Sequence, residues 1–144
     1  MSAMTDFFEN KLVDNFFRTS TYTRPAVLGV ALFTAAPGET GGGTECTGGN
    51  YARVDHPPLD ANWESTQVGA GASSGTGGLT DNLLVITLPA PTSNWGGLIT
   101  HMAIFDATTS GNMLIHSILT ASKSVNNLDP APTFPVGDLD ITFA

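Results

Sequence analysis

The sequence is short of charge, and most of the charge that it has is negative. Only 12% of its 144 residues are charged, about half the usual share for soluble domains. Five basic residues stand against thirteen acidic ones, which gives a net charge of −8. Because such a chain repels a phosphate backbone, we expect no binding to nucleic acid. No run of about 18 apolar residues is present, so we also expect no membrane span.

Cysteine is nearly absent. Cys46 is the single one, which excludes an internal disulfide and any metal site built from several cysteines. The first residues lack the basic start of a secretory signal and carry Asp6 and Glu9, so we expect no such signal. The length fits one domain, yet 41% of the residues are hydrophobic while charge is scarce. This combination favours a chain that covers part of its apolar surface with another protein.

Short strand patterns, separated by long loops rich in glycine and proline, occupy most of the sequence. Apolar residues alternate with polar ones at the end of the chain, and both sides of the first strand pattern are apolar. With no helical pattern between these segments, we predict an all-β fold, an antiparallel β-sandwich or jelly roll. The segments predicted as strands are 26–34, 51–54, 83–88, 98–105, 112–119 and 138–143.

The pattern of a helix is found only near the start, over residues 5–18. Thr5 or Asp6 can cap it, and Asp6 with Glu9 resembles a capping box. We therefore predict a helical arm over 1–20 and a β-sandwich domain over 21–144. Two interpretations stay open, since the helix could pack on its own domain or dock on a neighbouring subunit. The candidate interface residues are Phe7, Phe8, Leu12, Phe16 and Phe17 of the arm, with Trp63 of a loop.

Two histidines in the predicted hairpin are candidates for a metal site or a proton switch. If the hairpin turns about Thr108 and Thr109, His101 lies directly opposite His116. A zinc ion would need a third or fourth ligand, and the nearby sequence supplies none, so we favour a partly exposed pair of histidines.

The remaining motifs argue against an enzyme. No G-x-S-x-G nucleophile motif occurs, and the glycine runs 41–43 and 69–78 lack the lysine of a phosphate-binding loop. A D-x-D-x-D-G calcium ladder is also missing. We therefore predict no catalytic residues, no metal and no cofactor.

Three blocks of the sequence resemble a known family. They are VALFTAAPGETGGGTECTGGNYAR (30–53), WGGLITHMAIFDATTSGNMLIHSILTASKSVN (95–126) and FPVGDLDIT (134–142). In this order they resemble small virion proteins of tailed bacteriophages, which are commonly called tail fibre proteins. The resemblance covers most of the chain and implies a non-enzymatic structural protein of the virion, made in the host cytoplasm.

Three hypotheses follow about its role. Because the sequence has no shaft repeat, we favour a capsid cement or decoration protein that stabilises the head shell. Its partners would be the major capsid protein or other virion proteins, and we expect a homo-oligomer such as a trimer. The second hypothesis is a tail fibre or baseplate component. The third is a carbohydrate-binding module that uses Tyr51, Trp63 and Trp95, although Trp95 also suits a core position at the start of a strand.

Overall fold

The computed structural model describes residues 2–64, 73 and 78–143. This part of the chain forms a single 12-residue helix and ten strands, most of them short, so the prediction of an all-β fold with a short N-terminal helix is confirmed. The elements are β1 (Ala3–Met4), α1 (Asp6–Phe17), β2 (Gly29–Ala35), β3 (Thr44–Glu45), β4 (Val54–Asp55), β5 (Leu79–Thr80), β6 (Ile86–Thr87), β7 (Leu98–Phe105), β8 (Met113–Ser124), β9 (Thr133–Phe134) and β10 (Ile141–Thr142).

The strands form one large antiparallel sheet and two small ones. The large sheet has six strands in the order β1-β8-β7-β2-β3, with β4 also paired to β2. The small sheets are the antiparallel pairs β5–β10 and β6–β9. The hairpin β7–β8 and the neighbouring β2 are the longest strands and make the centre of the fold, because apolar side chains are buried on both faces of β2, of the second half of β7 and of the start of β8.

One face of the large sheet, which we call the core face, carries the main hydrophobic core. Alternate side chains of a strand point to the same face, so Val30 and Leu32 share it with Met102 and Ile104. The small sheets and the loops form a second layer over this face. The buried residues that they add to the core are Ile86, Leu88, Leu139 and Ile141.

The opposite face of the sheet carries a smaller cluster, and we call it the cavity face. Phe33 and Phe105 lie on neighbouring strands with their rings stacked 6.3 Å apart at 3°. Both are almost fully buried, together with Ala31, Ala103 and Met113. Strand β2 is therefore covered on both faces, as its doubly apolar pattern predicted.

The start of α1 is fixed to the sheet. Thr5, only 1% exposed, caps the helix and accepts a hydrogen bond from the Phe8 amide, while its hydroxyl donates to the carbonyl of Met113 at 2.6 Å. The predicted capping box is wrong, because with Thr5 as the cap Glu9 falls one position too late. No residue of α1 is fully buried. The division of the chain into an arm over 1–20 and a domain over 21–144 stays a prediction.

Three of the predicted strands are much shorter than expected. Of 51–54 only Val54 lies in a strand, β4. Of 83–88 only Ile86–Thr87 pairs, while Leu84 and Val85 are about half exposed. The side chain of Asn82 donates to the carbonyl of Leu84, and such local bonds compete with a strand ladder. Of 138–143 only Ile141–Thr142 pairs. The glycine run 69–78 lies outside the described residues except for Ser73 and Gly78.

Candidate interaction surfaces

The far end of α1 presents large apolar side chains to solvent. Phe16 is 72% exposed, Phe17 is 84% exposed and Val13 is about half exposed. We call these three residues the helix-end patch. Burying a phenylalanine side chain is worth about 1.5–3 kcal/mol, so this exposed cluster is a candidate surface for contact with another molecule.

The other candidate residues of the arm hold the helix to its own domain. Phe7, Phe8 and Leu12 are half-buried, and the first two pack against the main core. The ring of Phe8 lies 6.0 Å from that of Tyr22 and 6.3 Å from that of Phe143. The predicted interface therefore separates into an anchoring half near the start of the helix and an exposed half at its end.

The aromatic rings of the carbohydrate hypothesis do not form an exposed platform. Trp95 is 0% exposed, and Tyr51 packs edge-on against it at 5.1 Å. Trp63 is half-buried, its ring contacts that of His56 at 4.9 Å, and its indole N–H is shared between the carbonyls of His56 and Pro57. All three rings pack within their own domain.

A cavity of about 640 Å³ opens beside the start of α1, and we call it the helix-start cavity. Its volume lies within the range of about 300–1,000 Å³ that is usual for pockets that bind small groups. Phe33, Phe105 and Met113 of the cavity face give it an apolar floor, and Phe7 an apolar wall. The other lining residues are Thr5, Asp6, Glu39, Thr40, Gly41, Gly42, Gly43, Glu45, Gly111 and Asn112.

The acidic residues of this cavity are unequally neutralised. Glu45 accepts two hydrogen bonds from the Arg53 guanidinium, at 2.9 Å and 2.8 Å, and one from the Tyr51 hydroxyl. The same guanidinium lies 3.4 Å above the ring of Phe105. Asp6 and Glu39 make no ion pair within the described residues. The cavity therefore combines an aromatic floor with two uncompensated carboxylates.

Three of the five basic residues lie in one segment, residues 11–24, which begins inside α1 and continues past its end. The segment also contains one acidic residue, which gives it a net charge of +2. The other residues carry a net charge of −10, which brings the net charge of the whole chain to −8. Arg18 makes an exposed ion pair with Asp14, whereas Arg24 makes none within the described residues. Lys11 lies on the cavity side, with its Nζ 5.4 Å from the centre of the Phe7 ring, so Arg18 is the basic residue that directly follows the helix-end patch.

The predicted register of the histidine pair is wrong. His101 lies opposite Ile118, and His116 lies opposite Ala103, a shift of two residues from the predicted pairing. One residue of the shift arises in the turn, where Phe105 pairs with Met113, and the other is the extra residue at Leu114. The two histidines are diagonal neighbours instead, typically about 7–8 Å apart. They still interact: burial first and His101 second lower the pKa of His116, while Glu39 opposes the change. The described residues contain no group of three or more His, Cys, Asp or Glu able to hold a metal.

The lowered pKa of His116 predicts a pH effect on stability. The unfolded chain, with a histidine pKa of about 6.5, takes up a proton more readily than the folded one, so stability falls as pH drops from about 7 to 5. In His116→Gln this loss is absent, so the variant gains on the wild type at acidic pH. Urea unfolding at about pH 7.5 and pH 5 measures the free energy of unfolding of both proteins. The contribution of the carboxylates is common to both proteins and cancels in the difference between them. If the free energies of unfolding of the two proteins differ by the same amount at both pH values, the prediction is contradicted.

The single cysteine is not a reactive group in the folded chain. Cys46 is 2% exposed, and burial, with Glu45 adding to it, raises the pKa of its thiol to about 12. It therefore lacks the thiolate that a catalytic cysteine needs near neutral pH. Nothing in the described ranges forms a helix both long enough and apolar enough to cross a membrane.

The comparison with protein families gives one match of nearly full length. A family model described as Podophage GP4 fiber I protein gp80 matches residues 3–142. No curated protein matches the chain. The family match begins at β1 and ends with β10, so it includes α1, the helix-end patch and every residue that lines the helix-start cavity. The chain therefore belongs to the Podophage GP4 fiber I protein gp80 family, whose members are structural proteins of the phage virion.

Proposed function

We propose that this virion protein is a non-enzymatic fibre component that attaches to another virion protein through its helix-end patch. The observation that carries the proposal is the exposure of Phe16 and Phe17 on a helix whose other end is anchored in the sheet. The patch contributes little to the fold of its own chain, so its apolar surface is available for assembly.

The position of the helix supports a docking role. Thr5 holds the first turn to β8, and β1 adds a short strand beside it, so the helix is held in place before any partner binds. A surface that is fixed in advance loses less conformational entropy on association than a flexible segment does. Rigid presentation therefore favours a specific contact with a virion partner.

The family description favours a fibre role over a place on the head shell. The sequence hypothesis of a capsid cement protein rested on the lack of a shaft repeat, and a compact domain can equally be one part of a fibre. A capsid partner and a trimeric state stay predictions. The carbohydrate-binding alternative loses its main support, because Trp95 is buried and Trp63 packs on its own loop.

Labelling of intact particles tests this function. Antibodies against the chain, viewed by electron microscopy, should label the fibres. Particles that carry Phe16→Ser/Phe17→Ser should lose the label, while the matched surface variant Leu128→Ser/Val136→Ser, also at exposed apolar positions, should keep it. A label spread over the head shell would support the cement hypothesis instead. Equal labelling of both variants would refute docking through the patch.

A further inference from the structure

We infer that the helix-end patch of one copy docks in the helix-start cavity of a second copy, so that the chain assembles head to tail. This inference deepens the proposed function and rests on its docking surface, because it names the partner of the patch as the chain itself. The observations that carry it are the apolar match between the two surfaces, the opposite charges around them and their separation along one rigid helix.

The two surfaces match in their apolar character. The patch offers the exposed rings of Phe16 and Phe17, and the cavity offers the half-buried ring of Phe7 beside a floor of almost fully buried residues, Phe33, Phe105 and Met113. Rings that meet in this way can pack edge-on or offset, which adds to the gain from burying their area. A cavity of about 640 Å³ has room for an inserted aromatic side chain.

The two surfaces also match in charge. Arg18 directly follows the patch, and Arg24, further along the chain, makes no ion pair in the part of the chain that the structure describes. The cavity has Asp6 and Glu39 without an ion pair within the described residues. The ion pair of Arg18 with Asp14 is exposed and worth little, so exchanging it for a cavity carboxylate costs little. Copies of a chain with a net charge of −8 repel one another. The segment that contains Arg18 and Arg24 is the part of the chain that the acidic cavity attracts.

The contact has to be made between copies. The 12 residues of α1 span about 18 Å, and the helix runs from the cavity wall at Phe7 to the patch at Phe17. A rigid helix cannot fold its end back into a cavity at its own start. The patch and the cavity are different surfaces, so the interface is heterologous. Copies joined in this way form a closed ring or an open filament, depending on the rotation that relates one copy to the next.

Sedimentation velocity and light scattering over a range of concentrations test the interface. The wild type is expected to assemble, and Phe16→Ser/Phe17→Ser to weaken association by roughly a hundredfold. Glu39→Arg/Thr40→Trp, which reverses a charge and narrows the cavity at two exposed positions, should weaken it as well. The control Leu128→Ser/Val136→Ser should assemble like the wild type. A monomeric wild type, or an unaffected cavity variant, would overturn the inference.

Mixing the two defective variants gives the sharpest test. The patch variant keeps an intact cavity, and the cavity variant keeps an intact patch, so one productive contact remains possible between them. A head-to-tail interface predicts a 1:1 complex with twice the mass of the 15.0 kDa chain. A symmetric contact of patch with patch predicts that the cavity variant pairs only with itself while the patch variant stays monomeric, and that result would refute the inference.

The two proposals fail in different ways. If the wild type is monomeric while particles still lose the patch variant, the patch binds another virion protein and only the self-assembly is wrong. If the mixed complex forms but antibodies do not label the fibres, the self-assembly stands and the proposed place in the virion is wrong.

Discussion

Trp95→Ala is expected to lower the free energy of unfolding by about 3–5 kcal/mol, the cost of removing a large buried ring. Trp95 is 0% exposed and belongs to the main core. Its indole N–H donates to the carbonyl of Gly49 at 3.0 Å, and the ring of Tyr51 packs against it. The substitution leaves both a cavity and a carbonyl without its donor, so two penalties add.

Urea unfolding monitored by far-UV circular dichroism measures the loss. Trp95→Phe is the matched control, because it keeps an aromatic ring but removes the N–H group, and it should cost clearly less than alanine. Trp63→Phe provides a second reference at a half-buried tryptophan. A loss below about 1 kcal/mol for Trp95→Ala would mean that the ring is not a core anchor.

The motifs that carried the resemblance meet at two places in the fold. Trp95 joins Gly49 and Tyr51, which are separated from it by more than forty residues. Nearby, Arg53 stacks on Phe105 and donates to backbone carbonyls of the turn that follows β7. These motifs stabilise the packing of loops and hairpin, which explains why they indicated a family without indicating a binding site.

Local patterns in the sequence predicted local structure well. The predicted strand 98–105 matches β7, and the helix 5–18 lies within one residue of α1, because both depend on apolar spacing and on a cap at Thr5. The register of His116 failed because neither the centre of the turn nor the one extra residue in β8 can be read from the apolar pattern of the strands. The sequence could not show that Phe7 anchors the helix while Phe16 is exposed, because this difference depends on where the sheet lies against the helix.

The helix-start cavity could not be predicted from the sequence. Its lining comes from the helix start, from β2 and the glycine loop after it, and from both ends of the β7–β8 turn. No short motif contains these segments, and the sheet order β1-β8-β7-β2 brings Asp6 near Glu39, whose carbonyl accepts a hydrogen bond from the Asp6 amide. The charge asymmetry along the chain was the one available signal, and it becomes informative once the two ends of α1 have been located.

Asn82→Ala is the second substitution expected to have a large effect, a loss of about 2–4 kcal/mol. Asn82 is 0% exposed, and its side-chain amide donates to the carbonyls of Leu84 at 2.8 Å and Pro135 at 2.7 Å. Its side-chain oxygen accepts the amide of the buried Leu139 at 2.9 Å. One polar side chain therefore ties the segment before β6 to the chain between β9 and β10.

Asn82→Leu separates hydrogen bonding from packing, since leucine has a similar shape but no polar atoms. If the bonds carry the effect, both variants lose stability, because the Leu139 amide stays buried without an acceptor in each. If volume carries it, leucine restores most of what alanine loses. Hydrogen exchange of the Leu139 amide gives an independent readout and should accelerate in both variants. Unchanged protection of that amide in Asn82→Leu would contradict the role assigned to the Asn82 side chain.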